Sequence, residues 1–211
     1  PYVHRIGIIR DWKSRWFGDS KKYKQYLKSD VLLREFLEKK LRDFYVSSIE
    51  MERDDKLLKI ILKTSRPGMI IGRNGDGSKQ LKDEILKFVN KNKLLGAEEI
   101  KLDIEEIRSP ESNAGVIAAM VREGLEKRLP FRRVVKQTVE KVMANRDVKG
   151  VKIIVSGRLG GAEMARKEQI KKGRIPLQTF RADVDFAGDR AVMYYGSIGI
   201  KVWVYKGDIF D

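Results

Sequence analysis

Cysteine is absent from this sequence of 211 residues, and histidine occurs only once. The chain can therefore form neither a disulfide bond nor a cysteine-based zinc site, and a metal centre with several histidine ligands is excluded. No apolar run approaches the ~20 residues that a membrane-spanning helix needs, and the start of the sequence shows no signal-peptide pattern. We therefore expect a cytoplasmic protein without a membrane partner.

Acidic residues are scarce relative to basic ones. Thirty Asp or Glu residues stand against 45 Lys or Arg residues, which leaves a net charge of +15. More than half of this excess lies at residues 130–175, where thirteen basic and four acidic residues occur. Such a chain attracts a polyanion, although charge alone does not say which one.

The most informative motif is the run Arg-Pro-Gly-Met-Ile-Ile-Gly-Arg-Asn-Gly at residues 66–75. Its last four residues are Gly72, Arg73, Asn74 and Gly75. The two glycines let the backbone turn tightly and approach a ligand closely, while Arg73 adds charge for a phosphate and Asn74 adds a hydrogen-bond donor. A Gly-x-x-Gly loop clamps single-stranded RNA in KH domains, so the motif predicts RNA binding. A plain corner between two helices is the alternative.

Hydrophobic periodicity places this loop within a compact unit of helices and strands. The predicted elements are a helix at 30–44, strands at 46–52 and 56–63, the glycine loop, a helix at 78–92 and a strand at 99–107. Ser29 or Asp30 is the expected cap of the first helix. This order fits a type II KH domain, which we place at residues 29–108.

The N-terminal segment at residues 1–28 is basic and aromatic. Trp12, Trp16 and Phe17 lie among lysines and arginines, an arrangement that suits stacking on RNA bases. The same rings could instead anchor the segment as a hydrophobic group. The sequence leaves both interpretations open.

The second half begins after residues 109–112, where Ser-Pro-Glu-Ser breaks the pattern and is expected to cap a new helix. The pattern predicts helices at 111–128 and 130–146, strands at 151–155, 179–186, 191–195 and 198–205, and another helix after the loop at 156–163. We therefore predict a C-terminal α/β domain at residues 109–211, with two helices packed on a mostly antiparallel sheet. The fold class of the chain is α+β.

Three cations share one face of the predicted helix at 130–146. They are Arg132, Arg133 and Lys136, which are three and four positions apart. The apolar face contains Phe131, Val134, Val135, Val139, Val142 and Met143. Without carboxylate partners nearby, the cations would repel one another unless a polyanion neutralised them. A solvated helix face is the alternative, but in so basic a chain we interpret the cluster as a nucleic-acid contact.

A second cationic region starts in the glycine-rich loop at residues 156–163. Its members are Arg158, Arg166, Lys167, Lys171, Lys172 and Arg174. Glycines beside arginine allow the backbone to approach a phosphate closely. The loop matches neither G-x-G-x-x-G nor a Walker motif, so no cofactor is predicted. The acidic pairs Glu105–Glu106 and Asp183 with Asp185 are more typical of strand surfaces and turns than of a metal site, and we predict no metal.

Several long sequence blocks occur in an order that is typical of one family. They lie at residues 5–9, 12–17, 66–75, 130–133, 156–163, 173–177, 181–183 and 195–203. Through them the whole chain resembles the bacterial small-subunit ribosomal protein S3 family. The resemblance implies a protein of the small-subunit head that binds rRNA, touches neighbouring head proteins and lines the channel through which mRNA enters.

The resemblance also implies roles for the two cationic regions. The basic residues that this family uses in unwinding structured mRNA match Arg132, Arg133 and Lys136. The cations of the region from Arg158 to Arg174 become candidates for rRNA contacts.

Two functions of other classes compete with this interpretation. An RNA-processing enzyme could use a KH domain to bind its substrate, but we find no histidine pair, cysteine nucleophile or carboxylate cluster with a base. A free-standing KH regulator of short messages is the other alternative. We predict a structural constituent of the small ribosomal subunit that is not an enzyme.

Overall fold

The computed structural model describes residues 3–54, 57–92 and 99–210. They form two compact units, one at Trp12–Arg108 and one that combines residues 3–11 with 109–210. Each unit has its own four-stranded sheet and its own apolar core. Both units mix helices with strands, which confirms the predicted α+β class.

The unit at Trp12–Arg108 has the helix and strand order of a type II KH domain, as predicted. Its elements are β1 (Ser14–Arg15), α1 (Ser20–Lys40), β2 (Val46–Arg53), β3 (Leu57–Thr64), α2 (Pro67–Ile71), α3 (Asp76–Lys91) and β4 (Glu99–Glu106). The strand order is β1-β2-β3-β4, with β2 and β3 antiparallel and β3 and β4 parallel. Lys56, where the predicted strand at 56–63 begins, lies outside the described residues.

Apolar faces of the helices hold this unit together. Leu33 and Leu37 of α1, Ile85 of α3 and Ile60 of β3 are fully buried in one cluster. Burying a side chain of this size contributes about 1.5–3 kcal/mol. The packing fixes α3, and with it the glycine loop that precedes α3.

The first helix begins ten residues earlier than predicted and ends at Lys40. Ser29 and Asp30 do not cap it but are buried within it. Asp30 lies 3.2 Å from Arg53 of β2 and accepts a hydrogen bond from the Trp16 indole at 2.7 Å. The sequence suggested Asp30 as a helix cap because it is polar. In the structure its carboxylate instead binds Arg53 of β2 and the Trp16 indole inside the fold.

The second unit places two helices against an antiparallel sheet, as predicted. Its elements are α4 (Ala114–Glu126), α5 (Phe131–Met143), β5 (Gly150–Gly157), β6 (Arg166–Gly173), β7 (Ala182–Met193) and β8 (Gly196–Asp208). The strand order is β6-β5-β8-β7, and every neighbouring pair is antiparallel. One large apolar cluster joins both helices to β5 and β8.

The prediction of a helix after the glycine-rich loop is wrong, because these residues form strand β6. This strand pairs along its length with β5, from Arg166 opposite Gly157 to Gly173 opposite Gly150. As an edge strand, β6 is mostly exposed, and only Ile170 packs against the core. Few apolar residues are needed there, so the period-two pattern of a strand is missing from the sequence.

Two other boundaries in this unit differ from the predictions. The separate strands predicted at 179–186 and 191–195 are one strand, β7, which pairs with β8 without a break at Gly188. Helix α4 begins at Ala114, and its cap is Asn113, whose side chain accepts the Gly115 N–H at 3.0 Å. The Ser-Pro-Glu-Ser segment thus precedes the cap, and Pro110–Ser112 form a separate 3-10 turn.

Two N-terminal arginines belong to the second unit. Arg5 is buried and donates hydrogen bonds to the carbonyl oxygens of Ala182, Leu177 and Thr179 at 3.0, 2.9 and 3.0 Å. Arg10 pairs with Asp183 and Asp185 at 2.6 and 3.0 Å. The other oxygen of Asp185 accepts the N–H of Ala114 at the start of α4. These carboxylates therefore hold the N-terminal segment and a helix end in place.

Candidate nucleic-acid interface

The predicted glycine loop at residues 72–75 joins α2 to α3, so its four residues lie together at one corner of the first unit. Gly72, Asn74 and Gly75 have φ angles of 71°, 52° and 81°. This left-handed region is open to glycine and tolerated by asparagine. Arg73 and Asn74 are exposed. The loop thus presents a cation and an amide beside a backbone that no large side chain covers.

A further glycine, which the sequence analysis did not single out, lets α2 approach α3 closely. A Cβ on Gly77 would lie 2.6 Å from the carbonyl oxygen of Ile70, which is too short for a real contact. A Cβ on Gly72 would lie 3.0 Å from the backbone nitrogen of Gly77. Gly77 therefore supports the loop from behind. A glycine in the first turn of a helix was the available signal.

A cleft lies beside the loop, between the start of α3 and β4. It has a volume of about 200 Å³ and is lined by Ser78, Lys79, Lys82, Glu99, Ile100, Lys101 and Leu102. The three lysines outnumber Glu99 and give the cleft a cationic rim, whereas Leu102 gives it an apolar wall, since Ile100 is only 2% exposed. A backbone clamp next to such a cleft suits phosphates on the rim and bases against the wall. The three lysines were not among the predicted site residues.

The three predicted cations of α5 lie together on its exposed face. Arg132, Arg133 and Lys136 are all exposed. On the opposite face Val134, Val135, Val139 and Val142 are buried, and Phe131 and Met143 pack partly against the same core. The predicted division of this helix into an apolar and a cationic face is therefore confirmed.

One cation of this face does have a carboxylate partner, contrary to expectation. The Arg132 guanidinium donates to both carboxylate oxygens of Glu168 on β6, at 3.2 and 3.0 Å. The hydrogen bond lowers the pKa of the Glu168 carboxyl and raises the pKa of Arg132. The partner was missed because Glu168 comes close only if residues 166–173 form a strand. The Arg132 side chain remains 72% exposed, so this is a surface ion pair that a phosphate can replace.

The predicted cations of the second region are divided between two faces of β6. Side chains alternate along a strand, so Arg166 and Lys172 share the face of Glu168, while Lys167 and Lys171 share the other face. Arg174 follows the end of the strand. The structure thus brings Arg166 toward the α5 cations, where it lies 3.6 Å from Glu168, and separates it from Lys167 and Lys171.

Arg158 has a different setting from the other members of its region. It is partly buried, and its guanidinium donates to the carbonyl oxygens of Ala162 and Tyr195 at 2.9 and 3.3 Å. Gly160 and Gly161, with φ angles of 70° and 80°, turn the backbone around it. Arg158 therefore braces the glycine-rich loop at residues 156–163.

The aromatic residues of the N-terminal segment divide between the two interpretations that the sequence left open. Trp16 packs against Tyr23 and Tyr26 of α1, with ring centroids 5.3 and 5.7 Å apart. Trp12 and Phe17 are 62% and 88% exposed. Trp16 is thus an anchor, whereas the Phe17 ring is exposed to solvent.

The described ranges 3–54, 57–92 and 99–210 offer no candidate metal site or membrane span. These residues contain no group of three or more His, Cys, Asp or Glu side chains that could hold a metal ion. They also contain no helix with the length and apolar character that crossing a bilayer requires.

Comparisons with known proteins agree on both units of the chain. The family model described as "KH domain" matches residues 32–112, and that described as "Ribosomal protein S3, C-terminal domain" matches residues 121–204. The small ribosomal subunit protein uS3 of Caldicellulosiruptor bescii is 46% identical over 99% of this chain and 91% of its own length.

Similar proteins occur in other bacteria. The protein of the same name from Clostridium novyi is 43% identical, again over 99% of this chain and 91% of its own length. That of Methylococcus capsulatus is 42% identical over 100% of this chain and 91% of its own. At this identity over the full chain, with both halves matched by family models, the chain belongs to the uS3 family of small ribosomal subunit proteins.

Proposed function

We propose that this structural constituent of the small ribosomal subunit binds rRNA in the subunit's head and contacts mRNA at the channel through which mRNA enters, where it assists the passage of structured messages. The observation that carries the proposal is the cationic face of α5. Arg132, Arg133 and Lys136 are exposed side by side in a chain with a net charge of +15. A single strand that passes such a face is held through its phosphates.

The α5 cations assist unwinding passively in this proposal. The sequence has no Walker motif, so translocation of the ribosome supplies the work. When a duplex frays, each phosphate contact with the released strand biases it toward the open form. Between such contacts Glu168 orients the Arg132 guanidinium. When an RNA phosphate binds, it replaces Glu168 as the acceptor of the guanidinium hydrogen bonds.

The remaining cationic surfaces are assigned to rRNA. The glycine loop at residues 72–75 and the adjacent lysine-lined cleft form one contact. The cations on the two faces of β6 form others, together with Arg174 and the loop that Arg158 braces. Exposed rings such as Phe17 suit stacked bases or neighbouring head proteins. As a ribosomal constituent of this kind, the protein would act in the cytoplasm.

Replacement of Arg132, Arg133 and Lys136 by alanine, the α5 triple variant, is expected to slow translation of a message with a stable hairpin. Alanine preserves the helix and leaves the buried valines untouched, so the protein should fold and enter small subunits. The rate is measured on ribosomes that contain the variant, for a hairpin message and for an unstructured one. We expect several-fold slowing on the hairpin only.

A matched control removes three positive charges from the last turn of α5 and from the connection that follows this helix. Lys141, Arg146 and Lys149 are exposed there, and their replacement by alanine gives the distal triple variant. It should translate both messages at the normal rate. Equal rates on the two messages for a fully incorporated α5 triple variant would show that this face is only solvated.

The glycine loop is tested by Arg73→Asp combined with Asn74→Asp. Both side chains are exposed, and aspartate tolerates the left-handed backbone of position 74. Loss of one cation and addition of two anions should weaken binding of single-stranded RNA about tenfold or more. Fluorescence anisotropy with the full chain measures this affinity, and thermal unfolding should be unchanged.

The control for the loop is Asn90→Asp with Lys91→Asp. These residues are exposed in the last turn of α3, so the same changes of charge occur away from the loop. Affinity for RNA should fall much less in this control. If the two double variants bind RNA equally well, the loop is a structural corner. Substitution of Gly72 itself would be less informative, because a Cβ there crowds Gly77.

A further inference from the structure

One end of the second unit carries two tyrosines in a tight turn, of which Tyr194 is exposed and Tyr195 is partly buried against the core. Tyr194 and Tyr195 form the two-residue connection between β7 and β8, and Tyr194 is 81% exposed. Hairpin turns of this length favour Gly, Asn and Asp, so the turn itself does not require aromatic residues. Positions where a sequence departs from local structural preference are often functional.

Each tyrosine ring lies close to neighbouring side chains. The Tyr194 and Tyr195 ring centroids are 4.7 Å apart, with the planes at 81°. The Arg128 guanidinium lies 5.5 Å from the Tyr194 ring, and that of Arg158 lies 5.9 Å from the Tyr195 ring. The strand before the turn is fixed to α4, because Val192 N–H donates to the Glu126 carboxylate at 3.2 Å.

The backbone around Arg128 is also constrained. Arg128 has a φ angle of 60°, which is uncommon for a residue other than glycine. Its N–H donates to the carbonyl of Leu125 at 2.8 Å, in a tight end to α4. The arginine therefore extends from a constrained helix end toward an aromatic ring in a two-residue turn.

We propose that Tyr194 and Arg128 form a stacking site for an unpaired base of single-stranded RNA. This inference rests on the proposed function, in which the same strand has its phosphates on the α5 cations. Arg128 precedes Arg132 by four residues, so their Cα atoms are at most about 14 Å apart. The base stacks on the tyrosine ring, and the arginine adds a cation–π contact.

The charges around this site favour RNA over a protein partner. Each tyrosine ring has an arginine against it, and the α5 cations follow directly in the chain. A docking surface for a protein would instead use the exposed apolar side chains nearby, Val192 and Leu129, which are 58% and 50% exposed. Val192 supplies the control for the experiment.

The test compares the affinity of the full chain for decauridylate and for an abasic oligomer of the same length. Both probes carry the same phosphates, but only the first has bases. We expect Tyr194→Ser to weaken binding of decauridylate about tenfold and to leave binding of the abasic oligomer unchanged. Tyr194→Phe keeps the ring and should stay within about twofold of the original protein.

Two further variants distinguish failure of the stacking site from failure of the proposed function. Val192→Ser removes an exposed apolar side chain next to the turn and should leave both affinities unchanged. The α5 triple variant should weaken both probes alike, so the proposed function fails if neither probe is affected. The stacking site is overturned if Tyr194→Ser changes both affinities equally or neither of them. It is also overturned if Tyr194→Ser and Val192→Ser impair only incorporation into small subunits, which would indicate a protein-docking surface.

Discussion

Raising the KCl concentration from about 50 to 200 mM is expected to weaken binding of the full chain to a small-subunit rRNA fragment by roughly a thousandfold or more, for about six to ten phosphate contacts. The physical reason is the release of counterions from RNA when lysines and arginines take their place. The net charge of +15 and the exposed cations of α5 and β6 make contacts of this kind dominant. Fluorescence anisotropy across a salt series gives the affinity.

The slope of log affinity against log salt concentration is proportional to the number of phosphate contacts. Each phosphate neutralised on a single strand contributes about 0.7 to this slope. With a single-stranded probe, the α5 triple variant should therefore lose about 2 from its slope, since three cations are removed. The distal triple variant should keep the original slope. A flat response to salt in the unmodified protein would contradict phosphate-dominated binding.

The parts of the site that could be predicted from the sequence are local ones. Gly72, Arg73, Asn74 and Gly75 are consecutive, so their common position in a turn follows from the chain itself. The α5 cations lie within five residues of one another on a helix with a clear apolar face. Short separations and a strong period leave little for tertiary structure to change.

The contacts that were missed join distant residues. Glu168 reaches Arg132 only because β6 pairs with β5 in one register, which places Glu168 opposite Val155. A single sequence does not reveal this register, since β6 has almost no apolar residues to set it. The pair connects the predicted mRNA contact on α5 with the predicted rRNA contact on β6.

The early start of α1 was missed for a related reason. Residues 20–29 contain only three aromatic or apolar side chains, Tyr23, Tyr26 and Leu27, and three are too few to establish a helical period among so many basic residues. In the structure they are supported by Trp16, which packs on Tyr23 and Tyr26, and by Arg53, which lies 4.6 Å from the Tyr26 ring. Most helices depend on such tertiary packing more than on intrinsic propensity.

Family membership explains why the functional residues of this chain lie on binding surfaces and not in a catalytic site. As a ribosomal protein with KH and S3 C-terminal domains, it binds RNA in translation and is not an enzyme. Its charged groups therefore have to be exposed and numerous, while few need to be buried. Arg5 is an exception, with only 1% of its surface exposed.

Arg5→Met is expected to lower the free energy of unfolding of the second unit by about 3 kcal/mol. Methionine fills a similar volume but removes the guanidinium donors from the carbonyls of Ala182, Leu177 and Thr179, of which Thr179 keeps a longer hydrogen bond from the Ala182 N–H at 3.3 Å. Each lost hydrogen bond to a buried group costs about 1 kcal/mol or more. Burial and the nearby Arg10 lower the pKa of the Arg5 guanidinium, which means that the fold disfavours its positive charge. Removal of the charge therefore offsets part of the stability lost with the hydrogen bonds.

Hydrogen exchange in a urea series can measure this loss in each unit separately. Peptides from β7 and β8 should lose protection at lower urea concentration in Arg5→Met, whereas peptides from β2 and β3 should not change. Arg146→Met provides the control, because Arg146 is exposed and its replacement should alter stability by less than about 0.5 kcal/mol. If peptides from β7 and β8 are protected as well in Arg5→Met as in the control, the carbonyls of Ala182, Leu177 and Thr179 do not need the Arg5 guanidinium, and the predicted loss of stability is wrong.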